Sequence, residues 1–174
     1  TGDYILENGA QLLASRDSQY ADGVAILVHS SYIPHISRIE KFDGRLMFVD
    51  IKFLDCKMRF ISIYCPHAGY PIVELQQLYS QLCEILDAAR RCGLRFTIGG
   101  DFNTVLDYGE RGDLMNEVLN NYNLREANHP DNLSWDDGWT FKSTLGVLRQ
   151  LDYILCSSSV GFCNGYATDF LNLG

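Results

Sequence analysis

The sequence predicts an α/β protein with sheets inside and helices outside. Three observations predict it. Adjacent segments alternate apolar and polar residues across tight breaks, which reads as strand hairpins. One long segment repeats its apolar residues at helical spacing. That helix leads directly into another apolar strand, and strands mixed with a few helices pack as layers. The 174 residues suffice for one domain with a real core, and 47% hydrophobic with 21% charged residues is a globular balance.

The elements follow in order. Thr1 to Asp22 reads as polar and irregular around the apolar pair Leu12-Leu13. Gly23 to Val28 is a compact apolar run after Asp-Gly, a buried strand. Ile33 to Glu40 is a weaker strand candidate, and Asp43-Gly44 is a turn signal. Arg45 to Leu54 and Lys57 to Cys65 form an antiparallel hairpin across a break near Asp55-Cys56. Pro66 ends the second strand. Pro71 to Cys92 is the best helix, with Val73, Leu75, Leu78, Leu82, Ile85, Leu86 and Ala89 on one face. Pro71 suits its first turn, Arg90 and Arg91 suit its last, and Gly93 suits its C-terminal cap. Leu94 to Gly100 is the central strand, and Asp113 to Asn121 a shorter helix on Leu114, Val118 and Leu119. Leu124 to Asp137 is loop-like. Short strands follow at Trp139 to Phe141 and Leu151 to Cys156, with a last one within Val160 to Phe170. There is no internal repeat or linker.

Composition narrows the classes. The net charge of −8 argues against holding nucleic acid by bulk electrostatics, although carboxylates that bind a metal would add to that charge. No apolar run approaches the roughly 18–20 residues of a membrane span. The start, Thr1-Gly2-Asp3-Tyr4, is not a signal peptide and lacks an initiator Met, so the chain reads as a fragment or processed piece of an intracellular protein. Cys56, Cys65, Cys83, Cys92, Cys156 and Cys163 contain no C-x-x-C pair, so no zinc site is expected and the thiols read as reduced and mostly buried.

The stretch Arg95 to Asn103 carries the chemistry. Apolar residues alternate into Gly99-Gly100, and Asp101 and Asn103 follow two positions apart. On an extended segment both point to one side and could hold a metal, a water or a phosphate. The glycines leave room for a ligand or a second backbone. The alternative is a strand followed by an Asx-type turn.

Four stretches fall in a telling order: Ile63-Tyr64-Cys65-Pro66-His67, Gly100-Asp101-Phe102-Asn103, Trp139-Thr140-Phe141 and Leu151-Asp152-Tyr153-Ile154. Together they resemble the endonuclease/exonuclease/phosphatase superfamily, the fold of DNase I, and look most like the endonuclease domains of non-LTR (LINE-type) retrotransposons. The resemblance implies one domain over residues 1–174, a two-layer β-sandwich of mixed sheets flanked by helices. It implies Mg²⁺-dependent phosphodiester hydrolysis of DNA, with Mn²⁺ as a substitute ion. By the same resemblance Asp101 is the general base and Asn103 holds the phosphate or metal-side oxygens, these two being the metal-side residues. Tyr64 bonds the phosphate, and Asp152 orients a catalytic histidine. Thr140 and Arg111 lie near DNA, and His67 near the phosphate. Each has a plainer reading. Tyr64 is otherwise a core-edge tyrosine, Thr140 plain structure, Arg111 a solvated arginine and His67 an exposed loop histidine.

The chain departs from the family pattern at both ends. The N-terminal strands bearing an Asn and the metal-binding Glu are not found before Thr1, and Ser-Asp-His is not found by Gly174. His29, His35, His67 and His129 do not match that motif. A truncated domain, inactive alone and exposing strand edges, is therefore expected. The element-type resemblance further implies a reverse transcriptase domain downstream, DNA as partner, no membrane and action in the nucleus. Two other readings compete: a phosphatase of the superfamily acting on small phosphoesters, and a degenerate binding domain.

Overall fold

The computed structural model describes residues 2–16, 23–127 and 139–160. Two sheets pack face to face. The smaller is antiparallel and three-stranded, β1 (Asp3–Ile5), β2 (Gln11–Arg16) and β3 (Gly23–Val28) in that order. The larger contains β4 (Ile36–Phe42), β5 (Leu46–Lys52), β6 (Lys57–Tyr64), β7 (Arg95–Asp101), β8 (Leu124–Glu126) and β11 (Asp152–Ser157), in the spatial order β4-β5-β6-β7-β11-β8. A separate hairpin pairs β9 (Phe141–Lys142) with β10 (Leu148–Arg149). Helices α1 (Ile72–Arg91) and α2 (Gly109–Tyr122) pack on the outer face of the larger sheet.

Two hydrophobic layers explain this arrangement. Leu13, Val24 and Val28 of the small sheet meet Met47, Val49 and Ile51 of β5. On the opposite face, Leu46, Phe48, Ile61, Ile63 and Ile98 meet Leu75, Leu82, Leu86 and Ala89 of α1. Strand β5 is therefore buried on both faces from Leu46 to Ile51. Each such aliphatic or aromatic side chain contributes about 1.5–3 kcal/mol on burial. The turn before β5 uses Asp43 and Gly44 at φ 42 and 71, and the β5–β6 hairpin is antiparallel, as expected. Strands β6 and β7 are parallel, and α1 supplies the crossover that a parallel pair needs. Helix α1 ends at Arg91 with Cys92 as its C-cap, and the expected glycine follows at once, Gly93 at φ 65.

Several expectations require correction. The N-terminal stretch is not irregular, because β1 and β2 form within it and Leu13 is fully buried. Strand β3 is buried on one face only: Val24 and Val28 point inward while Leu27 is exposed. Residues Ser30–His35 form a 3-10 helix, and the weaker strand candidate begins only at Ile36. Val73 lies off the buried face of α1, which includes Tyr79 instead. Helix α2 starts a turn earlier than expected and buries Met115. β8 arises in the stretch read as a loop, because Leu124 to Glu126 pairs with β11. The strand near Trp139 is displaced to Phe141–Lys142. The last expected strand, over 160–170, falls outside the described residues apart from Val160. Five cysteines are free thiols, with Cys65 and Cys156 buried, Cys56 and Cys83 half-buried and Cys92 exposed, whereas Cys163 lies outside the described residues. Among the described residues, no helix is long and apolar enough to cross a membrane.

Candidate active site

Three strands bring their ends to one rim of the larger sheet. Tyr64, the last residue of β6, lies opposite Asp101 in the parallel β6–β7 register. Asp101, the last residue of β7, lies opposite Asp152, the first of β11, in the antiparallel β7–β11 register. Lateral neighbours project to the same sheet face, and adjacent strands lie about 4.8 Å apart. A phenol and two carboxyls thus line one row across about 10 Å. Gly100 permits the pairing: its φ is 152, and a Cβ there would lie 1.9 Å from the Ile63 carbonyl oxygen. Gly99 meets no such neighbour, so the close approach is made at Gly100 alone.

The chain does not remain extended through Asn103. Asn103 is left-handed at φ 49, and its backbone N–H donates to Asp101 Oδ1 at 2.7 Å. This is the Asx-type alternative, and the turn places both side chains at the strand end. Asn103 Nδ2 donates to the Cys65 carbonyl at 2.8 Å, and the Cys65 N–H donates to the Asp101 carbonyl at 2.8 Å. The loop after β6 is thereby tied to the loop after β7. Phe102 anchors the turn from below, buried edge-on against Tyr153 at 5.7 Å between ring centres. Its N–H donates to the Leu151 carbonyl at 2.8 Å, fixing the entry to β11.

Electrostatics distinguish the central acid. Partial burial raises the Asp101 pKa, the Asn103 N–H opposes that shift, and the neighbouring Asp152 charge adds to it. A raised carboxyl pKa makes the carboxylate a stronger base. Oδ1 is engaged by the turn, which leaves Oδ2 to meet a water or a cation.

The other expected site residues surround this row. Thr140 Oγ1 accepts from the N–H groups of Leu151 and Asp152, each at 3.0 Å, and so shapes the start of β11. His67 is exposed on the loop after β6, with Nδ1 accepting from the Gly69 N–H at 3.0 Å. Arg111, in the first turn of α2, donates to carbonyls of that same loop. His29 instead accepts from the Ser31 N–H at the start of the 3-10 helix, and His129 lies outside the described residues. The motif presents Asp152 as a partner for a histidine, and the register makes it the acid beside Asp101. Sequence reasoning missed one neighbour. Arg45, whose guanidinium carbon lies 5.6 Å from the Tyr64 ring centre and 5.0 Å from that of Tyr70, gave no motif signal. Only the tertiary fold brings them together.

The donor set bears on a metal. Among the described residues, no three His, Cys, Asp or Glu side chains gather into a ligand group. The rim offers oxygens: the Asp101 and Asp152 carboxyls and the Asn103 amide. Hard oxygen donors suit Mg²⁺, which characteristically takes one or two carboxylates and fills its other positions with water and substrate phosphate. Burial raises the Asp101 pKa and the adjacent Asp152 charge adds to it, and a cation would relieve that charge. The residues present fit such an ion as a partial ligand set.

Comparisons with solved structures agree with the fold. The endonuclease domain of TRAS1, a telomere-specific non-LTR retrotransposon, superimposes with TM-score 0.56 at 19% identity over 84% of this chain and 67% of that one. A 3′ phosphatase, NExo from Neisseria bound to a product DNA hairpin, gives 0.59 at 16% identity, covering 78% and 62%. The human Nocturnin catalytic domain with bound sulfate gives 0.63 at 13% identity, covering 86% and 61%. The chain thus spans about two thirds or less of each of these structures. No curated protein matches it significantly. The profile of the Endonuclease/Exonuclease/phosphatase family matches residues 3–169, nearly the whole length, and with the sandwich fold and its strand-end acids this chain belongs to that family.

Proposed function

We propose that the protein is a divalent-cation-dependent phosphodiesterase that nicks DNA, as the endonuclease domain of a retrotransposon-type polypeptide. Phosphoester hydrolysis is the chemistry of the family. The observation that carries it is the lateral row Tyr64–Asp101–Asp152 at one sheet rim.

The residues divide the work. Asp101 accepts a proton from, or orients, the attacking water through the oxygen that the turn leaves free. Tyr64 donates its hydroxyl to a phosphate oxygen as charge develops there. Partial burial keeps Asp101 basic, and the Asp152 charge adds to that effect. Mg²⁺, or Mn²⁺ in its place, would be held by Asp101 and Asn103. When bound, it supplies positive charge to the phosphate and the leaving oxygen. The retrotransposon likeness supports DNA as substrate, a reverse transcriptase domain downstream and action in the nucleus. The hairpin β9–β10 supports a DNA-facing surface: Phe141, Leu145 and Leu148 are exposed on it beside Lys142 and Arg149, and it continues into Thr140 and Asp152.

The test is conversion of supercoiled plasmid to open circles by the full-length polypeptide, with Mg²⁺ and with a chelator, beside Asp101→Asn. Nicking that needs the cation and Asp101 is expected. An intact plasmid together with cleavage of small phosphoesters would move the assignment to a phosphatase, and inertness toward both would leave a binding domain.

A further inference from the structure

We infer that Arg111 is a positioning residue that locks the loop after β6, rather than a contact to the DNA backbone. Its guanidinium donates to three carbonyls of that loop: Pro66 at 2.7 Å through Nη1, and His67 at 3.1 Å and Tyr70 at 3.3 Å through Nη2. A planar fork with three acceptors on one short segment dictates the path of that segment. Asn103 takes the preceding carbonyl, that of Cys65, at 2.8 Å. Inside the loop, the Tyr70 N–H donates to the His67 carbonyl at 3.0 Å, and the Gly69 N–H donates to His67 Nδ1 at 3.0 Å. The His67 ring also packs edge-on against Tyr70, with centres 4.6 Å apart.

The far end of the lever is equally fixed. Gly112, next to Arg111, lies so close to the loop after β7 that a Cβ would stand 2.9 Å from the Val105 carbonyl oxygen. Asn116 Nδ2 donates to Asp107 Oδ1 at 2.7 Å, and the Leu106 N–H donates to the Tyr153 hydroxyl at 3.2 Å. Arg111 therefore bridges the loop after β7, which carries Asn103, to the loop after β6, which carries His67. The product of the clamp is an oriented imidazole. With Nδ1 accepting from Gly69, neutral His67 carries its proton on Nε2, an exposed donor on the ring that packs against Tyr70.

The kinetic part of this inference rests on the phosphodiesterase reading, and the structural part does not. The experiment compares the wild type with Arg111→Lys and Arg111→Gln. Lysine keeps the charge but cannot span three carbonyls. Amide hydrogen exchange at Gly69 and Tyr70 is expected to quicken about tenfold or more in both variants, while the β5–β6 ladder stays protected. Plasmid cleavage should lose about 100-fold in kcat in both, with an unchanged dependence on salt. The inference is overturned if lysine preserves loop protection and kcat while glutamine weakens binding and flattens the logarithmic salt slope by about one. Unchanged exchange in both variants overturns it as well. If glutamine unfolds the protein, seen as loss of ladder protection, lysine decides. If the wild type cuts no DNA, the phosphodiesterase reading fails and the exchange comparison still judges the clamp.

Discussion

Asp50 and Asp101 are both acids on the larger sheet, and their surroundings differ in kind. Asp50, on β5, is almost fully buried and receives two bonds from Arg59, Nε to Oδ1 at 2.7 Å and Nη2 to Oδ2 at 2.8 Å. The same guanidinium donates through Nη1 to the Ile85 carbonyl at 2.9 Å, and its carbon lies 3.8 Å from the centre of the Phe48 ring. Charge, hydrogen bonds and packing are all answered there, so the pair is structural. Asp101 is half-buried at a strand end, and its lateral neighbour is another acid. An acid whose charge is opposed by its surroundings is placed to bind a cation or take a proton. The comparison teaches that the setting of a carboxylate, more than its presence, separates scaffold from site.

The largest break in this contrast is Asp101→Asn. Nicking should fall by about 10³-fold or more, as for the loss of a member of a catalytic unit. Stability should move the other way. The folded-state pKa is raised, so the acid's favourable contribution is complete below its unfolded pKa and is lost as pH rises through the folded value. Removing the charge should therefore leave Tm at pH 7 equal or higher, as calorimetry can check. A clear loss of Tm would mean that the acid is structural after all.

Next in size is the mirror experiment on the satisfied pair. Arg59→Ala strands a buried carboxylate and should cost about 3–5 kcal/mol in urea unfolding. Combining Asp50→Leu with Arg59→Met should recover most of that loss, since apolar replacement of a whole buried pair is often neutral. Nicking per folded molecule should stay near wild type in the double variant.

A third comparison separates two adjacent glycines. Gly100→Ala drives a Cβ into the Ile63 carbonyl at an unfavourable φ and should cost about 3 kcal/mol. Gly99→Ala meets open space and should stay within about 0.5 kcal/mol of wild type. Equal losses at both positions would show that strand propensity, not the β6–β7 approach, governs this segment.

The finest test concerns the acid pair itself. The Asp152 charge helps to raise the Asp101 pKa, so Asp152→Asn should lower it. The base form of Asp101 would then persist to lower pH, and the acidic limb of the nicking profile should move toward acid. An unmoved limb would mean that another group sets it.

Much of the scaffold was legible because its causes are local. The spacing from Leu75 to Ala89 dictates α1, and the alternation from Met58 to Ile63 dictates β6. Short strands without a strong period, such as β1 and β8, were not legible, because pairing partners elsewhere in the chain stabilise them. Within the site, Tyr64, Asp101, Asn103 and Asp152 could be named from their motifs. Their mutual positions could not, and Arg111 illustrates the gap: as a lone arginine in sequence it reads as solvated or DNA-facing, whereas in the fold it grips three carbonyls.

The sequence by itself determined the layered fold class, the main helix, the central hairpin and the family to which the chain belongs. Those follow from residue periodicity, turn chemistry and motifs that each span only a few positions. The tertiary structure alone decided that Asp101 stands between Tyr64 and Asp152, and that Asn103 and Arg111 tie two loops together. The physical reason is register. Strands distant in the chain align where both sheet faces pack and where Gly100 admits the Ile63 carbonyl, and no local pattern encodes which residues then become neighbours.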